Sequence, residues 1–244
     1  MSNTRIYSAV VIGLAIVFTS LVFRNAWIKG KKGKETISVT GLASKDFVSD
    51  LIVWSGSFSR TNMSTAEGFS DLKHDADVIK TYLVSKGVKE NEIVFSAVSS
   101  NKQFDHVQVA QNQYKDVFVG TQLTQTIQIE SKEVDKIEQI SRDITELLAQ
   151  KIELNSFPPN YFYTKLSDLK IEMLAAATKD GRIRAEKIAE NSGSKIGKLS
   201  KADMGIFQIT GQNSSEDYSW GGAFNTTSKD KTASITVKLD FDIN

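Results

Sequence analysis

The chain has 244 residues, 40% of them hydrophobic, with two prolines, 15 glycines and no cysteine. That is enough apolar content for a folded core, and it excludes a disordered or fibrous protein, thiolate metal sites, cysteine nucleophiles and disulfides. The formal charge of +1 hides an asymmetry: six basic residues and no acid lie in residues 1–34, leaving 24 basic against 29 acidic residues, a net of −5, in residues 35–244. An acidic body disfavours nucleic acid as a partner, because phosphate binding needs a basic surface.

Residues 1–5 form a short tail ending in Arg5, and Ile6 to Phe23 then runs 18 residues without a charge. As a helix, at about 1.5 Å per residue, this run spans roughly 27 Å, the depth of a bilayer core. It is longer than the apolar core of a cleaved signal, and "FRNAWIKGKKGK" after it has no clear cleavage site. Trp27 stands at an interfacial position. Residues 6–28 are therefore expected to be a transmembrane anchor or uncleaved signal, with a cleaved signal as the alternative; residues 29–35 form a basic linker. Positive-charge counting sets Arg5 and the amino terminus against five basic residues, which taken alone directs the body to the cytoplasm.

In the body, "ETISVTGLA" alternates as a strand, and residues 46–60 form a second with Val48, Ile52, Trp54 and Phe58 on one face. Gly41 to Lys45 reads as the tight connection of a hairpin. Ala66, Phe69, Leu72, Ala76, Ile79 and Leu83 recur at helical spacing over 64–87, with Ser64 as N-cap, Glu67 three residues on and Gly87 as the stop. Strands are expected at 92–104 and 114–130, joined by a polar loop "DHVQVAQNQ". A helix over 132–150 carries Val134, Ile137, Ile140, Ile144, Leu147 and Leu148. Prolines 158 and 159 forbid helix, and "YFYTKL" reads as a short strand. A long helix follows over 167–192, with Leu174, Ala177, Ile188 and Ala189 on its apolar stripe; Gly181 inside it costs about 1 kcal/mol relative to alanine and implies a bend or close packing. A strand near 198–210, a polar insertion over 211–230 and the alternating strand "TASITVKLDFDIN" close the chain. The expected order is β-β-α-β-β-α-β-α-β-β. This is an α+β body of antiparallel sheets packed with long amphipathic helices, preceded by the N-terminal transmembrane helix.

"SGSKIGKLS" (192–200) looks like a phosphate-binding loop, but Gly193 and Gly197 bracket three residues rather than four and Leu199 replaces the hydroxyl residue. It also ends a helix instead of opening one, so Gly193 is read as a helix C-cap. His74 falls on a charged helix face and His106 in a polar loop, with no paired-ligand spacing. "SGSFS" lacks the nucleophile-elbow pattern. No catalytic, cofactor-binding or metal-ligating residue emerges. The acids Asp71, Asp75, Asp77, Asp240 and Asp242 fall on expected solvated faces. Asp50 shares the parity of Val48, Ile52 and Trp54, so it is read as a structural buried acid needing a partner. In the insertion, Tyr218, Trp220 and Phe224 are either partner contacts or aromatics folded back on the sheet.

Four stretches together resemble the SIMPL-domain family of bacterial envelope proteins, long catalogued as a domain of unknown function: "ISVTGLASKDFVSDLIVW", "LVSKGVKENEI", "AAATKDGRIRAEKIAENSGSKIGKL" and "ITVKLDFDIN". The resemblance covers about residues 35–244, with residues 36–244 as the SIMPL-like domain, and it rests on structural motifs rather than on a catalytic signature. It implies an exported body facing the periplasm or extracytoplasmic side of the inner membrane, held by a single-pass anchor. That implication opposes the charge count, which is a bias. It also implies homo-oligomers, a link to oxidative-stress defence, and no established enzymatic reaction or cofactor. The leading expectation is a membrane-anchored, non-enzymatic, self-associating envelope protein. One alternative is a binding module whose 211–230 loop captures a protein or glycan. Another is a carboxylate-dependent hydrolase of envelope polymers. The ligand is unknown.

Overall fold

The computed structural model describes residues 13–24, 35–110, 113–217 and 219–243. In chain order the elements are α1 (13–24), β1 (Thr36–Val48), β2 (Leu51–Asn62), α2 (Thr65–Ser85), β3 (Ile93–Phe95), β4 (Ser99–Ala110), β5 (Gln113–Ser131) and α3 (Val134–Asp143). They continue with β6 (Leu154–Ser156), β7 (Asn160–Phe162), α4 (Leu166–Asn191), β8 (Ile196–Met204), β9 (Gln208–Gly211) and β10 (Asp230–Ile243). The class is α+β with antiparallel pairing. One sheet has the order β1-β10-β8, with β9 also on β10; the other has the order β3-β5-β2-β6, with β4 on β5 and β7 on β2. The chain divides into two compact units, one of Met1–Leu42, Ala177–Gly205 and Val237–Asn244, the other of Ala43–Ala176 and Ile206–Thr236.

The larger unit is organised by the β2–β5 ladder. Ile52, Trp54 and Phe58 point to one face of β2, and the register brings Ile129, Ile127 and Leu123 of β5 to the same face. Leu72, Ile79 and Leu83 of α2, with Val134, Ile137 and Ile140 of α3, cover it as one apolar core. The Trp54 indole donates to Ser156 Oγ at 2.9 Å, and that hydroxyl donates to the Ser141 carbonyl, so these buried polar atoms are satisfied. Arg60 occupies the same face at its rim. Its guanidinium grips Asp75 of α2 in a two-pronged ion pair, at 2.5 and 2.9 Å. Asp75 is buried rather than solvated because this partner neutralises it. Hydrogen bonding to Asp75 holds the Arg60 pKa above its ordinary value.

The smaller unit depends on a close approach between α4 and β1. The row Ala177, Gly181, Ala185 and Ala189 repeats every four residues along the buried face of α4. A Cβ on Gly41 would overlap the Ala177 carbonyl oxygen and lie 2.6 Å from Gly181 N, and a Cβ on Gly181 would lie 2.7 Å from Leu239 Cδ1. Close packing therefore accounts for Gly181. Asp180 accepts the Leu42 backbone N–H at 2.9 Å, a bond that lowers the Asp180 pKa. Gly193, at φ 75°, ends α4. The Ser194 N–H reaches the Ala189 carbonyl and the Gly193 N–H the Glu190 carbonyl, the paired bonds of a Schellman stop.

Several expectations change. Gly41–Lys45 is strand interior, because Gly41 serves packing rather than turning; the chain turns at Ser49–Asp50 instead. β1 and β2 join different sheets, so they form no hairpin, and Val48 is exposed. Residues 105–110, expected in a loop, continue β4, which places His106 on a strand beside Asp116. β3 is separate from β4, the expected short strand at "YFYTKL" is β7, β6 is an added strand before the prolines, and the strand expected near 198–210 divides into β8 and β9, so the order becomes β-β-α-β-β-β-α-β-β-α-β-β-β. The 132–150 helix tightens to a 3-10 turn from Ile144, which leaves Leu148 exposed. Leu174 and Ile188 lie off the buried row of α4 and are exposed. Asp240 and Asp242 are half-buried, and Asp240 lies across from Lys201 of β8. Of the expected anchor 6–28, residues 13–24 are helical and exposed; the remainder, with the tail and most of the linker, lies outside the described residues. Among the described residues no helix is long and apolar enough to cross a membrane.

The glycine contact gives a graded prediction. Gly41→Ala meets backbone and should cost about 1–3 kcal/mol, the usual range for overpacking. Gly181→Ala meets the end of the Leu239 side chain at 2.7 Å and the Gly41 backbone no closer than 3.2 Å, and it regains about 1 kcal/mol of helix propensity, so its loss should be smaller. Denaturant titration of both variants checks the order; equal or reversed losses contradict it.

Candidate functional site

The 206–230 segment is a pinned loop. The Ile209 N–H donates to the Ala223 carbonyl and the Asn225 N–H to the Ile209 carbonyl, which stitches the loop back onto β9. Gln208 is buried: its amide nitrogen donates to the Ser219 carbonyl at 2.8 Å, and its oxygen accepts the Ser219 and Ala223 N–H groups. Glu216 accepts from the Gly211 N–H, the main reason its pKa is lowered, and from the Asn225 side chain. Gly222 has φ 93° and a Cβ there would lie 3.0 Å from the Phe207 carbonyl oxygen, so only glycine suits that corner.

Lys231 closes the network from beneath. It shares the parity of Ala233 and Ile235 on β10, is 2% exposed, and its ammonium donates to the Asn225 carbonyl. Sequence reasoning misses this lysine, although its parity with the apolar residues of the strand is the signal that could have found it. Burial pushes its pKa down to about 8.

On this rigid base Trp220 is 95% exposed and Phe224 54% exposed, so neither folds back into the core. Tyr218 lies outside the described residues. Beside these aromatics, Leu166, Lys170, Phe207, Ile209 and Gly221–Phe224 line a hollow of about 180 Å³, with the Lys170 ammonium 5.5 Å from the Phe207 ring centre. The arrangement can hold a small apolar group beside a negative charge; it offers no nucleophile–base pair.

The other candidates lie elsewhere. Asp50 sits in the β1–β2 turn, half-buried, and accepts the N–H and hydroxyl of Thr164, both at 2.7 Å. His74 borders a shallow hollow with Asp77 and Tyr82. Among the described residues no three His, Asp or Glu side chains converge as a metal site requires.

The Lys231 pKa predicts a pH dependence. Below about pH 8 the residue is protonated folded and unfolded, and the burial penalty is paid in full. Between about 8 and the ordinary 10.5 the folded protein releases the proton that the unfolded chain keeps, so stability rises with pH. Relative to Lys231→Met, the native chain should gain on the order of 1–3 kcal/mol across this window. Parallel pH profiles in chemical denaturation contradict the burial.

The SIMPL profile, described as a protein of unknown function (DUF541), matches residues 37–241. No curated protein matches the chain. The match runs from β1 into β10 and takes in both sheets, α2 to α4 and the pinned loop: the chain belongs to the SIMPL family.

Proposed function

We propose that this SIMPL chain is a membrane-anchored, non-enzymatic envelope protein whose domain self-associates. The observation that carries the reading is the ribbon formed by β4 and the first part of β5. β2 pairs with β5 only from Thr121 onward, so residues 113–120 pair with β4 alone. Phe104, Val107, Tyr114, Val117 and Val119 stay exposed on this arm, Tyr114 at 67%. A free two-stranded ribbon is marginally stable in water, and a cluster of exposed apolar side chains marks a contact surface. The anchor rests on the uncharged run Ile6–Phe23 and the outward orientation on the family resemblance, with stress defence as an associated role.

Light scattering on the full chain in mild detergent should give an oligomer at micromolar concentration. The triple variant Phe104→Ser, Val107→Ser, Val117→Ser should be monomeric with an unchanged circular dichroism spectrum. A monomeric native chain overturns the reading. Protease protection in intact cells, lost in spheroplasts, tests the compartment; equal protection in both would place the body inside.

A second reading, partner capture by the pinned loop, is favoured by Trp220, which the loop holds almost wholly in solvent. Trp220→Ala should then abolish a saturable fluorescence change on adding soluble cell-wall glycan fragments, with stability altered by less than about 0.5 kcal/mol. No such change in the native chain removes the glycan form of this reading.

A further inference from the structure

The outer edge of β4 is an open template. Among the described residues β4 pairs with β5 alone along its whole length, Ser99 to Ala110, so its second row of backbone N–H and C=O groups has no strand partner. Such an edge accepts another strand unless prolines, short length, bulges or inward charges protect it. Here there is no proline, and the strand spans 12 residues. The ribbon has two register shifts: Gln103 pairs with Gly120 and Phe104 with Phe118, so β5 carries the first extra residue, while Gln108 pairs with Tyr114 and Ala110 with Gln113, which puts the second on β4 at its far end and leaves β4 in strict alternation from Ser99 to Gln108.

That alternation limits how two copies can meet. A two-fold axis normal to the sheet keeps each side chain on its own face, so the contact centres on one residue that meets itself. Centring on Lys102 or Asp105, both exposed, opposes like charges, which is unfavourable. Centring on Val107 or beyond leaves the first residues of the strand unpaired. Centring on Phe104 pairs residues 100–108 of each copy, nearly all of the strictly alternating stretch. Phe104 is 52% exposed and stacks edge-on against Phe118 of β5, ring centres 5.7 Å apart. Facing itself, it completes a row of four rings across both molecules, Phe118–Phe104 and their symmetry mates. Lys102 of each copy then falls opposite His106 of the other, and His106 is already paired with Asp116, so no like charges are left facing one another.

We infer that two copies of this chain join β4 edge to β4 edge, antiparallel, with Phe104 facing Phe104, making one sheet that runs through both molecules. This rests on the self-association reading and deepens it by naming the surface and register.

The absence of cysteine makes the test clean, because introduced thiols are the only ones present. An equimolar mixture of full-chain Lys102→Cys and His106→Cys, oxidised in mild detergent, should form a mixed disulfide, since directly opposed residues lie within the roughly 4.4–6.8 Å Cα spacing that a disulfide needs. Each variant alone should stay uncross-linked, because its own thiols lie four positions apart along the pairing. Phe104→Asp and Phe104→Lys should each weaken dimerisation at least about tenfold by setting like charges face to face, and mixing the two should recover at least about tenfold. Unchanged melting of these exposed-site variants separates a binding effect from misfolding. Self-association that persists with no mixed disulfide and no charge effect at position 104 overturns the β4 pairing while leaving the proposed function standing. A strictly monomeric native chain overturns both.

Discussion

The length of β5 governs the larger unit. Its inner part, from Thr121 to Ser131, has β2 on one side and sets Leu123, Ile127 and Ile129 on the core face against α2 and α3. β2 stops at Asn62, because Ser64 caps α2 and the chain must turn away. Beyond that point β5 has only β4. Gly120, at φ 142°, marks the exit, where a Cβ would lie 3.0 Å from the Asn62 carbonyl oxygen. One strand thus does two jobs: it supplies the central ladder of a covered sheet, and it projects a ribbon that has no core of its own.

The family relationship, the α+β class and most core positions were legible in the sequence, for a physical reason. Where one sheet face is covered and the other wet, burial imposes period two, and Ile235, Val237, Leu239 and Phe241 show it without interruption. α2 was legible for the corresponding reason at period 3.6, from Leu72 through Leu83, with Ser64 at its start. The ribbon was not. A strand with solvent on both faces has no reason to alternate, so Asp105 to Gln113 resembled a loop. α4 was obscured differently: close approach to β1 selects small residues, and the Ala177–Gly181–Ala185–Ala189 row has less hydrophobicity than Leu174 and Ile188, which lie outside it. Asp75 looked solvated because its partner Arg60 lies on another element, and sequence spacing does not reveal such pairs.

The pinned loop was half legible. Trp220 and Phe224 stood out as aromatics among small polar residues, but nothing local showed whether they faced inward. The deciding groups are polar: Gln208, Glu216, Asn225 and Lys231 satisfy the loop backbone from within, and this leaves the aromatics no core to enter. A polar network of this kind, anchored on the buried Gln208 and Lys231, fixes a loop shape that apolar packing alone leaves free. The apolar hollow beside Lys170 follows from that shape, as does its lack of acid–base machinery.

Hydrogen–deuterium exchange of the full chain, followed over a hundredfold range of protein concentration, tests most directly whether the ribbon is an assembly surface. The account predicts that amides of residues 99–110 exchange quickly when dilute and gain protection as concentration rises, while the β2–β5 core is protected throughout. Exchange from the ribbon that is equally fast at every concentration would contradict it.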